Sequence, residues 1–372
     1  MIKIGITGQE GFVGTHLYNT IALFPEEFER VAYDIRFFGD EVLLDAFVAQ
    51  CDVIVHLAAM NRHPDPQVLY DTNVGLVNTL IGSLERTKSK VHVMLSSSSQ
   101  EEKDNLYGKS KKLGREMLIE WANEAGAPFT GLIIPNVFGP FGQPYYNSVI
   151  ATFSHQVVHG ETPQIQVDGE LNLIYVGELV TEILNKIRGH QTEVAYVVPH
   201  TATAKVSELL GLLQYYKSTY QIKGEIPTIN TTFELNLFNT FRCYMDIGNH
   251  FPVKYTQHTD PRGSFVEVIR LGVGGQVSFS TTVAGITRGN HYHTRKIERF
   301  SVIKGKALIQ LRRIGTEEVF NFYLDGDEPS YVDMPIWHTH NIKNIGDEVL
   351  YTNFWINEFY DANDGDTYFE NV

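Results

Sequence analysis

The stretch that most restricts this chain runs from Lys3 to Ile21. A short β-rich run, Lys3 to Thr7, leads directly into Gly8-x-x-Gly11-x-x-Gly14, and then into the apolar spacing of a helix through Leu17 and Ile21. Strand, glycine turn and helix in that order open a dinucleotide-binding unit. Gly8 permits the tight turn, Gly11 lets the backbone approach a pyrophosphate, and Gly14 allows the helix to pack on its strand. Phe12 and Val13 then occupy the first helical turn, whose N-terminus faces the phosphates. A glycine pattern alone is common, and its placement between strand and helix is what makes it informative.

The following strands extend this reading to an α/β doubly wound parallel sheet. Arg30 to Tyr33 ends at Asp34, the acidic position about twenty residues past the glycines that meets the adenosine ribose. Arg36 is suited to the extra phosphate of NADP, so the pair reads both ways, with the balance towards NADP(H). Val53 to Leu57 runs into Ala58 and Ala59, small residues that let a cofactor lie against the backbone, and Asn73 follows on the next helix. Val91 to Leu95 delivers Ser96 to Ser99 to the carboxyl edge of the sheet, where ligands bind in open α/β folds, and Thr130 to Ile134 feeds Pro135 and Asn136. Tyr107 and Lys111 share one helix face, so the ammonium is expected to pull the phenol below its free pKa of ~10 and make it a proton donor near neutrality.

At 372 residues the chain is long enough for two domains. Its 30 basic and 44 acidic residues, formally −14, disfavour nucleic acid or an anionic membrane as partner but not a small anionic ligand in a local basic cleft. No apolar run reaches a membrane span and no leader precedes Met1-Ile2-Lys3, so a cytoplasmic protein is expected, with Cys51 and Cys243 as reduced thiols. Helical stretches follow around Glu178 to Ile187 and Val206 to Tyr216, and Gly224 to Gly248 reads as a connector. From about Phe251 short β-rich runs with glycine punctuation indicate an antiparallel barrel or jelly roll. The expected domains are 1–248 and 249–372.

Inside the second domain His291 and His293 fall on one strand face, and Glu298 can return across a bend. Two imidazoles and a carboxylate suit Zn2+ or another divalent first-row ion, and His340 is the expected fourth ligand, with His338 two residues away on the same face.

The glycine turn, His56-Leu57-Ala58-Ala59, the serine run and Tyr107/Lys111 together resemble an extended short-chain dehydrogenase/reductase acting on a nucleotide sugar. The resemblance implies that Ser98 polarises the substrate carbonyl, that Tyr107 exchanges the proton, and that Lys111 binds the nicotinamide ribose and tunes the tyrosine. Ser96 and Pro135 join the implied cofactor contacts. Asn136 and the Asn147-Ser148 pair fall where relatives hold the nucleotide diphosphate; a turn residue and a helix cap are the plainer readings. Relatives that dehydrate the sugar carry an acid pair beside the active hydroxyl, whereas Ser99 and Gln100 stand here, which argues for reduction or C4 epimerisation.

The second half resembles the cupin family: Gly285, His291, His293, Glu298 and Gly305 match its first motif, and Pro335, His340 and Asn344 match its second, with Trp337 where glycine is usual. Arg262, in Asp260-Pro261-Arg262-Gly263, is similar to a phosphate or sugar contact of cupins that epimerise keto sugars and reads equally as a turn before a strand. In this order the two domains resemble the CapF-type capsular polysaccharide enzymes. That implies a bifunctional homodimer acting on UDP-2-acetamido-2,6-dideoxy-4-hexulose, with C3 inversion in the cupin and NADPH reduction of the C4 ketone to the L-talose product in the reductase. A ketone at C4 acidifies the C3 proton, and a metal ion beside that oxygen favours its removal. A nucleotide-sugar 4-epimerase with a non-catalytic cupin, or a non-enzymatic nucleotide-sugar sensor, are the alternative functions.

Overall fold

The computed structural model describes all 372 residues and divides by compactness into two units. The first is Met1–Thr152 with Val167–Val206, and the second is Phe153–Gln166 with Ser207–Val372.

In the first unit β1 (Ile2–Thr7), β2 (Phe28–Val31), β3 (Val53–His56), β4 (His92–Ser98) and β5 (Phe129–Ile134) form a parallel sheet in the order β2-β1-β3-β4-β5, closed by the edge strand Glu193–Val197. Every residue of β3 is buried, as a strand covered on both faces requires. Alternation then divides its side chains: Val53 and Val55 join Ile4, Ile6 and Leu17 in one core, and Ile54 joins Leu44, Leu80 and Leu118 in the other.

Helices α1 (Phe12–Ile21), α2 (Glu41–Val48), α3 (Pro66–Arg86) and α4 (Leu106–Ala125) flank these strands, and their starts are set by local chemistry. The Asp40 carboxylate accepts the Val42 and Leu43 N–H groups, Asp65 accepts that of Gln67 ahead of α3, and Asn105 accepts that of Gly108. Two expected strand ends shift. β4 runs on through Ser98, so Ser96 to Ser98 are strand residues and Ser99 begins the turn; β2 stops at Val31, and the Asp34 carboxylate instead caps a single 3-10 turn, Ile35–Gly39, by accepting the Arg36 N–H.

The second unit carries two five-stranded sheets. One is ordered Val253–Lys254, Ser330–Met334, Glu298–Lys304, Leu350–Ile356, Gln276–Thr282; the other Val319–Asp325, Lys306–Arg313, His338–Asn344, Thr287–Tyr292, Tyr368–Phe369. All pairs within them are antiparallel, and Val302 and Val332 of one sheet share a core with Ile309 and Leu311 of the other, the jelly-roll arrangement expected.

The stretch read as a connector is a packed element. Thr231 caps a helix over Thr232–Arg242 in which Leu237, Phe238 and Phe241 are fully buried. Its apolar period is masked because Asn236, Asn239, Thr240 and Arg242 are buried too, held by polar partners: Asn239 Nδ2 donates to Arg295 O at 2.9 Å, and Arg242 Nη2 to Met334 O at 3.1 Å. Asp333, wholly buried, takes both arms of Arg299 at 2.7 and 2.9 Å and the Tyr220 hydroxyl at 2.7 Å. A cut at residue 248 therefore falls inside the second compact unit.

Candidate active site and metal centre

At the start of α1, Gly8 has φ +75°, and a Cβ on Gly14 would lie 2.2 Å from the Gly8 carbonyl oxygen, so both positions admit only glycine. The Gly11 N–H closes the turn on Gly8 O at 3.0 Å. Unlike α2, α3 and α4, α1 begins without a side-chain cap, and no acid stands in its first turn. Its first N–H groups are thus available to an anion, and the residues present fit a dinucleotide pyrophosphate. Val13 packs against the sheet core and Phe12 sets its ring edge-on to His16, so what this pair offers an anion is main-chain N–H. Leu57 N donates to Thr7 O at 3.0 Å, and Ala58 and Ala59 line a narrow cavity with His56, Asn73, Lys111 and Gly114.

Asp34 and Arg36 meet each other. Arg36 donates from N and Nε to Oδ1, both at 2.9 Å, and from Nη2 to Oδ2 at 2.6 Å, which draws the carboxyl down to about 2. Asn73 proves to be a brace: its amide accepts from Met60 N at 2.7 Å and donates to Met60 O at 3.0 Å and Ser110 Oγ at 3.2 Å, tying the loop after β3 to α4.

Gly108 explains how Tyr107 reaches Ser98. A Cβ there would stand 2.0 Å from Gln100 O, so only glycine lets the start of α4 close on the end of β4. Ser98 Oγ accepts the Gln100 N–H at 3.2 Å and also meets the Tyr107 phenol. The phenol donates to Asn61 Oδ1 at 3.2 Å, and Asn61 N in turn donates to the Tyr146 hydroxyl at 3.1 Å. Lys111 Nζ donates to Ser96 O at 3.0 Å and stands 5.8 Å from the centre of the Tyr107 ring.

The expected lowering of the phenol's pKa is not found in the ligand-free chain. Burial pushes Tyr107 up to about 12, with Ser98 pulling the other way, and burial likewise brings Lys111 down to about 8. Both groups resist charge for the same reason, removal from water.

The acids of this stretch are all engaged. Glu101 is buried against Arg115, Nη2 to Oε2 2.6 Å, and accepts the Ser97 hydroxyl; Glu102 lies 3.7 Å from Lys112, and Asp104 2.5 Å from Lys109. Beyond Pro135, Asn136 opens a short strand and donates to Asn172 O at 3.1 Å. After Asn147, the Ser148 hydroxyl accepts the Ala151 N–H at 3.3 Å, the helix-cap role. Arg262 is 90% exposed in its side chain and folds onto Asp260, 2.6 Å away, within a hairpin turn.

In the jelly roll, His291, His293, Glu298 and His340 each present one ligand atom, all within 4.8 Å of one another. Glu298 Oε2 lies 3.2 Å from Nε2 of both His293 and His340, an ion-pair distance, but none of these three buried atoms makes a well-directed hydrogen bond. Buried lone pairs left unpaired are costly. A divalent cation would satisfy them together, so the residues fit a metal ion of the zinc type. Burial holds His291 down to about 4, keeping it neutral as a ligand must be. Burial opposes charge on Glu298 and His293, but each prevails through the other: the imidazoles of His293 and His340 hold the carboxyl well below its usual range, and Glu298 raises His293.

His340 belongs to the cluster; His338 does not, its Nδ1 meeting Ile336 O at 2.9 Å. Trp337 keeps the turn that glycine usually makes by adopting φ +58°, with its N–H on His293 O at 2.8 Å and its ring stacked on Tyr292. Two functional candidates escaped the sequence reading. Asn61 lies just past a strand at the ligand-binding edge, a position that could have flagged it; Asp366, whose carbonyl accepts His293 Nδ1–H, sits among terminal acids that look like plain surface.

Both halves of the chain have counterparts among known proteins. Residues 4–193 match the NAD dependent epimerase/dehydratase family and residues 258–368 the polysaccharide biosynthesis C-terminal domain. A Pseudomonas aeruginosa UDP-2-acetamido-2,6-beta-L-arabino-hexul-4-ose reductase is 31% identical over 375 residues, covering 99% of this chain and 98% of that protein. The crystal structure of the capsular polysaccharide assembling protein CapF from Staphylococcus aureus is 34% identical, covers 100% of both chains and has a TM-score of 0.63. The Thermotoga maritima UDP-glucose 4-epimerase, 19% identical over 65% of this chain and 98% of its own with a TM-score of 0.55, shares the fold.

Proposed function

The chain belongs to the NAD dependent epimerase/dehydratase family, in the two-domain CapF-type form, and from that premise we propose that it reduces the C4 ketone of a UDP-linked 2-acetamido-2,6-dideoxy-hexulose with NADPH after inverting C3 in the jelly roll. The observation that carries the reduction is that Ser99 and Gln100, not an acid pair, follow Ser98, and that the one buried acid nearby, Glu101, is held by Arg115 and the Ser97 hydroxyl. In this reading the uncapped start of α1 holds the pyrophosphate, and the bound nicotinamide supplies hydride. Ser98 Oγ orients the substrate carbonyl, Tyr107 delivers the phenolic proton to its oxygen, and Lys111 holds the ribose and steadies the phenolate left behind. Tyr107 must exchange its bond to Asn61 for one to the carbonyl oxygen, and the Lys111 ammonium beside it would steady the ionised phenol.

In the jelly roll His291, His293, Glu298 and His340 would hold the ion, which supplies Lewis-acid polarisation of a carbonyl. A polarised C4 carbonyl acidifies the neighbouring C3 hydrogen. The same reading makes the protein a cytoplasmic homodimer in capsular polysaccharide synthesis. The test is incubation with the UDP-keto sugar and NADPH in deuterated water, followed by NMR. A C4 alcohol inverted and deuterated at C3, with one NADPH oxidised per sugar, is expected. Interconversion of C4 epimers with no net oxidation of cofactor would replace the reductase by a 4-epimerase.

A further inference from the structure

We propose that the C-terminal strap Gly365–Glu370 keeps the metal ligands in register and that Asp366 is its positioning residue; the proposal rests on the reading of the four-residue cluster as a metal centre. Asp366 is 5% exposed and holds φ +39°, a left-handed conformation that aspartate tolerates better than most residues. Both of its carboxylate oxygens are saturated. Oδ1 accepts Thr294 N at 3.0 Å and Thr294 Oγ1 at 2.7 Å, and Oδ2 accepts Arg295 N at 3.0 Å and Lys296 N at 3.1 Å. Those donors form the turn between His293 and Glu298, so one side chain sets the path between two ligands.

The main-chain carbonyl of the same residue accepts Nδ1–H of His293. That contact keeps a proton on Nδ1 and leaves Nε2, 3.2 Å from Glu298 Oε2, as the atom that faces the cluster. The rest of the strap is anchored against the ligand-bearing strand. Lys296 Nζ donates to Gly365 O at 2.6 Å, Phe369 pairs with His291, the Tyr368 ring lies 5.4 Å from that of Tyr292, and Glu370 N donates to Asn290 O at 3.0 Å. Side chain on the turn and carbonyl on the imidazole make Asp366 the point through which the end of the chain acts on the metal.

The test uses the full-length protein, with zinc affinity read by competition against a chromophoric chelator and the ligand field read by cobalt substitution. Asp366→Ala should bind zinc about 10- to 100-fold more weakly and give a shifted or weakened cobalt band, with far-UV dichroism unchanged. Asp366→Asn, which keeps the Oδ1 contacts but turns an amide towards two N–H donors, should fall between. Thr294→Ala removes a single donor and should cost about two- to tenfold; it decides the matter if Asp366→Ala does not fold. Wild-type affinity and cobalt spectrum in folded Asp366→Ala, or in Thr294→Ala where that is the deciding variant, overturns the proposal. Failure of the wild-type protein itself to bind zinc or cobalt overturns the metal reading instead.

Discussion

Around Tyr107 the polar groups facing the site are already partnered by the chain: the phenol by Asn61, Lys111 by the Ser96 carbonyl, Asn73 by Met60, Asp34 by Arg36. In the jelly roll the opposite holds, and three buried atoms converge without a well-directed hydrogen bond. The first site can fold without its ligand and must exchange internal contacts for external ones when cofactor and sugar arrive. The second draws buried ligand atoms of four side chains together, an arrangement that a cation would complete. The hydride site should therefore behave as a binding site, and the metal site as part of the fold.

The largest effect should come from Tyr107→Phe. Losing the proton donor should lower NADPH oxidation about 10²- to 10⁴-fold while leaving NADPH affinity and zinc content nearly unchanged. Near-wild-type turnover would remove Tyr107 from the mechanism.

Metal removal sharpens the contrast in stability. A site saturated at a thousand times its Kd stabilises its fold by about 4 kcal/mol, so a chelator should lower the melting of the jelly-roll unit and leave untouched the transition that NADPH raises. Calorimetry with and without chelator checks this, and a single transition indifferent to metal would erase the distinction.

Lys111 gives the next effect, with a definite sign. Burial depresses its folded pKa to about 8, so at neutral pH the folded state carries a penalised charge that the unfolded chain does not. Between about pH 8 and the usual lysine pKa of ~10.4 the unfolded state binds more protons, and ligand-free stability should rise with pH from this group. Lys111→Met should lower turnover less than Tyr107→Phe does, yet stabilise the ligand-free protein at pH 7 by up to about 3 kcal/mol, a gain that fades towards pH 10. Denaturant unfolding across that range measures it; loss of stability at pH 7 would mean that the bond to Ser96 O outweighs desolvation.

Arg36→Ala should have the smallest effect, about a ten- to hundredfold fall in kcat/KM for NADPH from a lost charge-assisted contact, with NADH unaffected or improved as Asp34 is released. Equal values for both cofactors in the wild-type chain would show that Asp34 governs the choice.

Much of this was readable from residues because it depends on local geometry. The glycine turn needs a positive φ at Gly8 and bare space at Gly14, and His291 and His293 sit two residues apart at the end of one strand; both leave fixed spacings in sequence. What was not readable depends on contacts between distant segments. The helix Thr232–Arg242 hides its period because its buried polar residues find partners such as Arg295 and Met334 far along the chain. The expected pKa of Tyr107 failed similarly, since i and i+4 spacing reports proximity to Lys111 but not the depth at which both lie. Trp337 shows the converse: a residue that breaks the motif still occupies the left-handed turn, because its N–H bond and its stacking on Tyr292 hold it there.

The division of labour between the two sites is tested most directly by following the C3 hydrogen of the UDP-keto sugar by NMR in deuterated water with the Tyr107→Phe and Glu298→Gln proteins, without any nicotinamide cofactor. Tyr107→Phe should exchange C3 deuterium at the wild-type rate, although it cannot reduce the sugar, and Glu298→Gln should not exchange. Exchange that disappears with Tyr107, or that persists without Glu298, would contradict the assignment of the two chemistries to two separate sites.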